Sequence, residues 1–243
     1  MAAARVAVIV PTTGAPTLRQ AVDSVLAQTH PDTFAYVVVD GPEHALAAAA
    51  ALEGVAAGRV LVCSLPQNVG GAGFYGHRIY AAFVHLVADA RYVAFLDEDN
   101  WLEPEHVRTC LDAIAAGDLQ WVHSLRAICS ENAERVCLDD CESLGRWPTF
   151  QGKHLVDTNC YFLPIGAAIA TANAFHGGWG RDRVLFSRLA ERFPGYGCTG
   201  RYTVNYRMKN DAVARWEFFR GGNAAMAERY VFSGGAFPWR GIF

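Results

Sequence analysis

Four short apolar runs separated by helix-forming stretches fill the first hundred residues, and this alternation constrains the fold more than any other feature. Arg5–Val10 is rich in β-branched residues and closes at Pro11-Thr12-Thr13-Gly14. Thr17–Gln28 then sets Leu18, Ala21, Val22, Val25 and Leu26 at helical spacing. Tyr36–Val39 is a second strand, ended by Asp40-Gly41-Pro42, and Ala45–Ala57 an alanine-rich helix. Arg59–Ser64 is a third strand. A glycine-rich loop, Asn68–Gly73, opens a helix over Gly76–Ala88, and Tyr92–Leu96 is a fourth strand running into Asp97-Glu98-Asp99. Strands this continuously apolar, alternating with helices, predict an α/β fold with a parallel sheet covered on both faces. Ligands of such sheets bind outside the carboxyl ends of the strands, which is where a nucleotide is expected.

Beyond residue 100 the pattern changes. Pro104–Ala116 reads as a helix, and Trp121–Ile128 with Arg135–Leu138 as an antiparallel hairpin about a polar turn. Strand Cys160–Leu163, a small-residue helix near Gly166–Phe175, helix Asp182–Arg192, strand Tyr202–Tyr206 and a helical tail over Ala212–Arg229 follow. With no linker and no repeat, the 243 residues read as one domain. Residues 1–110 would bind nucleotide, and residues 111–243 would shape a second pocket.

Composition removes several function classes. Apolar types make up 52% and charged types 19%, which excludes disorder. A net charge of −3 gives no pull toward nucleic acid or an anionic membrane, so phosphate must be handled by a few local groups or a metal ion. The longest apolar stretch, Cys160–Ala172, contains Pro164 and falls short of the ~20 residues of a membrane span. The start, MAAARVAVIVPTTG, reads as a strand rather than a signal peptide. Seven cysteines form no regular framework, and Cys129, Cys137 and Cys141 lack the C-x2-C spacing of compact zinc sites. A reduced, cytoplasmic protein with no integral membrane segment is the expectation.

The acids carry the chemistry. Three adjacent carboxylates ending an apolar strand repel one another, and a hard cation such as Mg2+ or Mn2+ carrying a diphosphate compensates them. A solvated acidic turn capping the next helix is the alternative. Asp40, ending the second strand, could accept hydrogen bonds from a base or ribose beside Pro11, Thr12 and Thr13, or simply form a turn. The Asn68–Gly73 loop matches neither the Walker pattern nor G-x-G-x-x-G, yet it puts His77 and Arg78 at a helix start beside the cleft.

Together these segments resemble the inverting glycosyltransferase family 2, which has a glycosyltransferase A-type fold. The matching residues are Val8-Ile9-Val10-Pro11-Thr12, Leu18 to Thr29 with its Ser-Val-Leu-Ala-Gln-Thr, Val37 to Gly41, Asn68-Val69-Gly70 with Arg78, and Phe95 to Asp99 with Pro104. The resemblance covers roughly the first 110 residues in order and spacing. It implies that Pro11, Thr12, Thr13, Asp40, Asn68 and Arg78 hold the nucleoside, and that Asp97 and Glu98 contact the ribose or sugar. It further implies that Asp99, with Asp97, ligates Mn2+ or Mg2+ on the diphosphate. The chain departs from the family where Asp40-Gly41-Pro42-Glu43 replaces the common Asp-Asp-Gly-Ser, and where Gly76-His77-Arg78 replaces Ala-Arg-Asn.

In the second half, Gly180-Arg181-Asp182 is similar to the family's acidic acceptor-side motif. Asp182 is thereby expected as the general base on an acceptor hydroxyl, with an N-cap as its simpler role. Trp179, Asp157 and Asn159 are candidate acceptor contacts, and Glu142 a further one. The implied reaction moves a sugar, UDP-linked, to a glycan, lipid-linked or protein acceptor in cell-surface glycan or polysaccharide assembly. Two rivals stay open: a sugar nucleotidyltransferase, which normally opens with a long basic glycine loop, and a non-catalytic nucleotide- or glycan-binding protein on the same scaffold.

Overall fold

β1 (Val6–Thr12) is buried at every one of its seven positions, so it must have neighbours on both edges and cover on both faces. The computed structural model, which describes residues 4–87, 89–146, 152–208 and 212–229, supplies them. Next along the chain come α1 (Leu18–Leu26), β2 (Thr33–Val39), α2 (Ala45–Ala51), β3 (Val60–Ser64), α3 (His77–Phe83) and β4 (Tyr92–Phe95). β1 pairs in parallel with β2 on one side and β4 on the other, and β3 continues the parallel sheet beyond β2. α1 packs Leu18, Ala21, Val22 and Val25 inward, the face read from the sequence.

Two expectations need correction here. The sheet is not covered on both faces throughout, because β3 is an edge strand with Leu61 46% and Val62 56% exposed. The alanine-rich helix stops at Ala51 rather than Ala57, since only Ala48 is buried and propensity alone does not hold a longer helix.

The second half extends the same sheet. It contains β5 (Trp101–Leu102), α4 (His106–Gly117), β6 (Trp121–Cys129), β7 (Arg135–Leu138), β8 (Tyr161–Pro164), α5 (Ile165–Thr171), α6 (Arg181–Arg192), β9 (Tyr196–Arg207) and α7 (Ala212–Arg229). Strand order is β3-β2-β1-β4-β8-β6-β9-β5, with β7 paired to β6. β8 runs antiparallel to both β4 and β6, which makes the sheet mixed. The expected β6–β7 hairpin is present, with an irregularity at Ile128/Cys129. β9 begins six residues before the apolar run at Tyr202, because its first part pairs with Trp121–His123, with Tyr196 stacked on Trp121 at 4.5 Å.

The main core lies between the sheet and its helices, and a smaller cluster joins Phe219 and Met226 of α7 to Leu125, Ile128 and Cys198. All seven cysteines are free. No helix among the described residues is long and apolar enough to cross a membrane.

Candidate functional site

β1 sits where the chain reverses its order of strand addition, with β2 added to one side and β4 to the other. A cleft of about 670 Å³ opens at the carboxyl ends of these three strands. It is lined by Pro11 and Thr12 of β1 with Thr13 after it, Asp40 after β2, Asn68 and Gly70 from the glycine loop, and Asp97, Glu98 and Asp99 after β4. The second half adds Asp157, Thr158, Trp179, Gly180, Asp182, Tyr206 and Arg207. Of the residues expected from sequence, Arg78, Asn159 and Glu142 do not line it.

The first strand ends are bound together by carboxylates. Asp40 accepts hydrogen bonds from Val69 N at 2.7 Å and Gly70 N at 2.8 Å, so it clamps the glycine loop against the sheet. Gly70 has no alternative there: a Cβ would stand 2.3 Å from the Tyr75 carbonyl oxygen and 2.5 Å from Asp40 Oδ2. Asn68 closes the same loop by accepting from Gly71 N at 2.6 Å. Glu98 is committed to the β1–α1 turn. Its carboxylate accepts from the Thr12 hydroxyl, from Thr13 N and Oγ1 at 3.1 and 2.7 Å, and from Ala15 N at 3.0 Å.

Arg78 turns inward rather than toward the cleft. Its guanidinium lies 3.3 Å above the Phe74 ring centre and donates to the Val69 carbonyl at 3.2 Å. His77 lines the cleft and stacks on Phe175 at 5.9 Å, and burial lowers its pKa.

Asp97 is strongly perturbed by its surroundings. One oxygen accepts from Tyr80 OH at 2.8 Å and the other from Asn159 Nδ2 at 2.9 Å. Burial, then the charges of Asp99 and Asp157, push its pKa up to about 7. Asn159 is fully buried, which explains its absence from the cleft wall. Its Oδ1 accepts from Asp97 N at 2.7 Å, and its Nδ2 also donates to Asp157 Oδ1 at 2.8 Å. It therefore ties the end of β4 to the segment before β8.

Behind Asp157 lies a buried charge network that sequence reasoning missed. Arg126, on β6, donates to Asp139 Oδ2 at 2.8 Å, to Glu142 Oε2 at 2.7 Å and to Asp157 Oδ2. Its guanidinium also lies 4.5 Å from the ring centre of Tyr206. Arg183 adds a contact to Glu142 at 3.3 Å, so Glu142 is held in this network and does not line the cleft. The partners carry no shared motif; the β6–β7 hairpin brings Asp139 and Glu142 to Arg126, and the pairing of β6 with β8 brings Asp157.

Asp182 stands in the first turn of α6, where Gly180, not Asp182, is the N-cap. Its Oδ1 accepts from Arg183 N at 2.8 Å. Burial, then the charge of Asp157, push its pKa up to about 6, and Arg183 opposes that rise. Trp179 is 63% exposed at the rim, with the Arg183 guanidinium 5.2 Å from its ring centre. The Trp179 loop is seated by Gly178, whose added Cβ would stand 2.7 Å from the Gly73 carbonyl oxygen.

Arg207 is the second residue that sequence reasoning missed. It donates to the Asp99 carbonyl at 2.8 Å and to Glu131 O and Gln20 Oε1, which fixes the backbone under Asp99. An arginine directly after the last apolar residue of a strand gives no signal by itself.

Among the described residues no three His, Cys, Asp or Glu side chains converge as a closed metal cage. Two neighbouring carboxylates at a strand end still fit a hard cation, which completes its shell with phosphate oxygens and water.

Comparison with known proteins agrees with this architecture. S. aureus TarS 1-349 in complex with UDP-GlcNAc superposes with a TM-score of 0.61 at 13% identity, over 85% of this chain and 59% of that one. The same TarS fragment in complex with UDP gives 0.60 at 12% identity, over 95% of this chain and 66% of that one. The chain thus spans about three fifths to two thirds of the TarS fragment, and at this identity the likeness shows a shared fold. No curated protein sequence matches it. The profile of glycosyl transferase family 2 matches residues 7–176, from β1 through the segment before the Trp179 loop, and the chain belongs to that family.

Proposed function

We propose that the protein is an inverting glycosyltransferase that moves a sugar from a UDP-linked donor to an acceptor hydroxyl in cell-surface glycan or polysaccharide assembly. One observation carries the reading: a single cleft is walled on one side by Asp40, Asp97 and Asp99 and on the other by Asp182 and Trp179. The UDP and UDP-GlcNAc bound to the similarly folded TarS support the choice of donor.

The nucleoside lies along Pro11–Thr13, with Asp40 holding the loop that closes over it. Glu98 keeps the β1–α1 turn in shape rather than touching the sugar. A divalent cation, Mn2+ or Mg2+, supplies charge neutralisation on the diphosphate when bound. Asp99 holds it, with Asp97 beside it, because both Asp97 oxygens already accept hydrogen bonds. Asp182 takes the proton from the acceptor hydroxyl, whose oxygen then attacks the anomeric carbon opposite the leaving diphosphate. Its raised pKa suits a base working near neutral pH.

Incubating the protein with UDP-GlcNAc and other UDP-sugars in Mn2+ tests this reading. Release of UDP, with sugar passed to water or acceptor, is the expected outcome. Pyrophosphate released from UTP and a sugar phosphate would instead identify a nucleotidyltransferase, and binding without release a non-catalytic protein.

A further inference from the structure

The acceptor side of the cleft has a charge pattern that the donor reading leaves unexplained. Asp157 and Asp182 face the cavity, and Asp139 and Glu142 lie directly behind them. Two guanidiniums answer these four carboxylates: Arg126, on Asp139, Glu142 and Asp157, and Arg183, on Glu142 and Asp182. Both are already engaged by carboxylates of this chain. Arg207, the one arginine on the cleft wall among the described residues, is anchored by Asp99 O, Glu131 O and Gln20 Oε1. A phosphate or carboxylate entering here would meet negative charge in a partly desolvated site, with no uncommitted arginine or lysine among the described residues of its wall. Two exposed rings line the cleft: Tyr75, 59% exposed, beside the glycine loop, and Trp179, 63% exposed, three residues before Asp182 on the acceptor side. An aromatic face next to carboxylates that accept hydroxyl hydrogen bonds is the chemistry that holds a neutral sugar ring.

We propose that the acceptor is a neutral, hydroxyl-bearing sugar seated against Trp179, and that the acceptor side rejects sugars carrying phosphate or carboxylate near the reacting hydroxyl. This rests on the donor reading above. Rejection arises from like charge across the cleft, so it is a specificity built from repulsion as well as contact.

The test pairs neutral and anionic sugars of the same skeleton. A UDP-sugar that the protein hydrolyses is supplied with methyl glucoside, methyl galactoside or methyl xyloside, and in parallel with methyl glucuronide, methyl galacturonide and methyl glucoside 6-phosphate. The expected result is transfer to at least one neutral sugar, with kcat/KM at least tenfold above its acidic counterpart and a gap that narrows as salt is raised. Trp179→Ala should raise the KM for the neutral acceptor about tenfold. Acidic members glycosylated as fast as neutral ones, or donor hydrolysis with no transfer to any neutral sugar, overturns the proposal. Absence of both UDP-sugar binding and hydrolysis overturns the donor reading, and the acceptor proposal with it.

Discussion

Asp182 and Asp99 divide the proposed chemistry between them, and each can be tested alone. Asp182 has its pKa raised to about 6, mainly by burial and then by Asp157. A base must be deprotonated to act, so kcat/KM should fall with decreasing pH below about 6 and level off above it. Asp157, Arg183 and Arg126 all act on this carboxyl, and the Tyr161 hydroxyl donates to the Asp182 backbone oxygen at 3.2 Å. Asp182→Asn should lower transfer about 10²–10⁴-fold, leave the KM for donor nearly unchanged and remove the acid limb of the profile. A residue serving only to start α6 would give near-normal rates as Asn. Asp99→Ala should abolish Mn2+-dependent UDP binding, read by calorimetry, while circular dichroism stays unchanged.

At the scale of elements, the site depends on how loops and strand ends are tied. Arg126 joins β6 to the residues after β7 and before β8, and its side chain is almost fully buried. Arg126→Met would leave Asp139, Asp157 and Glu142 without their common cation. Breaking such a buried pair costs about 3–5 kcal/mol, which for a chain of this size is a fall in Tm of roughly 10 °C. Scanning calorimetry of the variant checks this. The glycine loop makes a second case. Gly70→Ala drives a methyl group into the Tyr75 carbonyl and the Asp40 carboxylate, so the loop must move. UDP affinity should drop about tenfold or more, measured by titration, with a smaller loss of stability than in the arginine variant. Both elements were visible in sequence only as ordinary pieces: an arginine in an apolar strand, and a glycine run without a nucleotide fingerprint.

At the scale of the whole molecule, the two halves meet where β4 pairs with β8, and the cleft takes walls from both. A ligand that bridges those walls stabilises the folded state by mass action. UDP at a hundredfold its Kd, with Mn2+ present, should add about 2.7 kcal/mol, and so raise Tm by several degrees. Without Mn2+ the shift should shrink, since the diphosphate then faces Asp97 and Asp99 without a counter-charge.

Much of this organisation is local and therefore legible in the chain. The apolar runs of β1, β2 and β4 had to be buried parallel strands, and Asp40 and Asp97–Asp99 had to fall at their carboxyl ends, because strand period and chain direction place them there. The helix carrying Asp182 was equally readable from its spacing. Other features depend on pairing across the sheet, which no short stretch encodes. The antiparallel insertion of β8 turns Asn159 from an expected acceptor contact into a buried bridge between Asp97 and Asp157. The β6–β7 hairpin collects Asp139 and Glu142 around Arg126, and the β8 insertion adds Asp157 from 31 residues away. β3 pairs with β2 alone, which leaves it an exposed edge, and the pairing of β4 with β1 brings Glu98 to the β1–α1 turn. A carboxylate's identity is written in the sequence. Whether it faces solvent, a ligand or an arginine is decided by the strands that end beside it, because burial and distance set its charge and its partners.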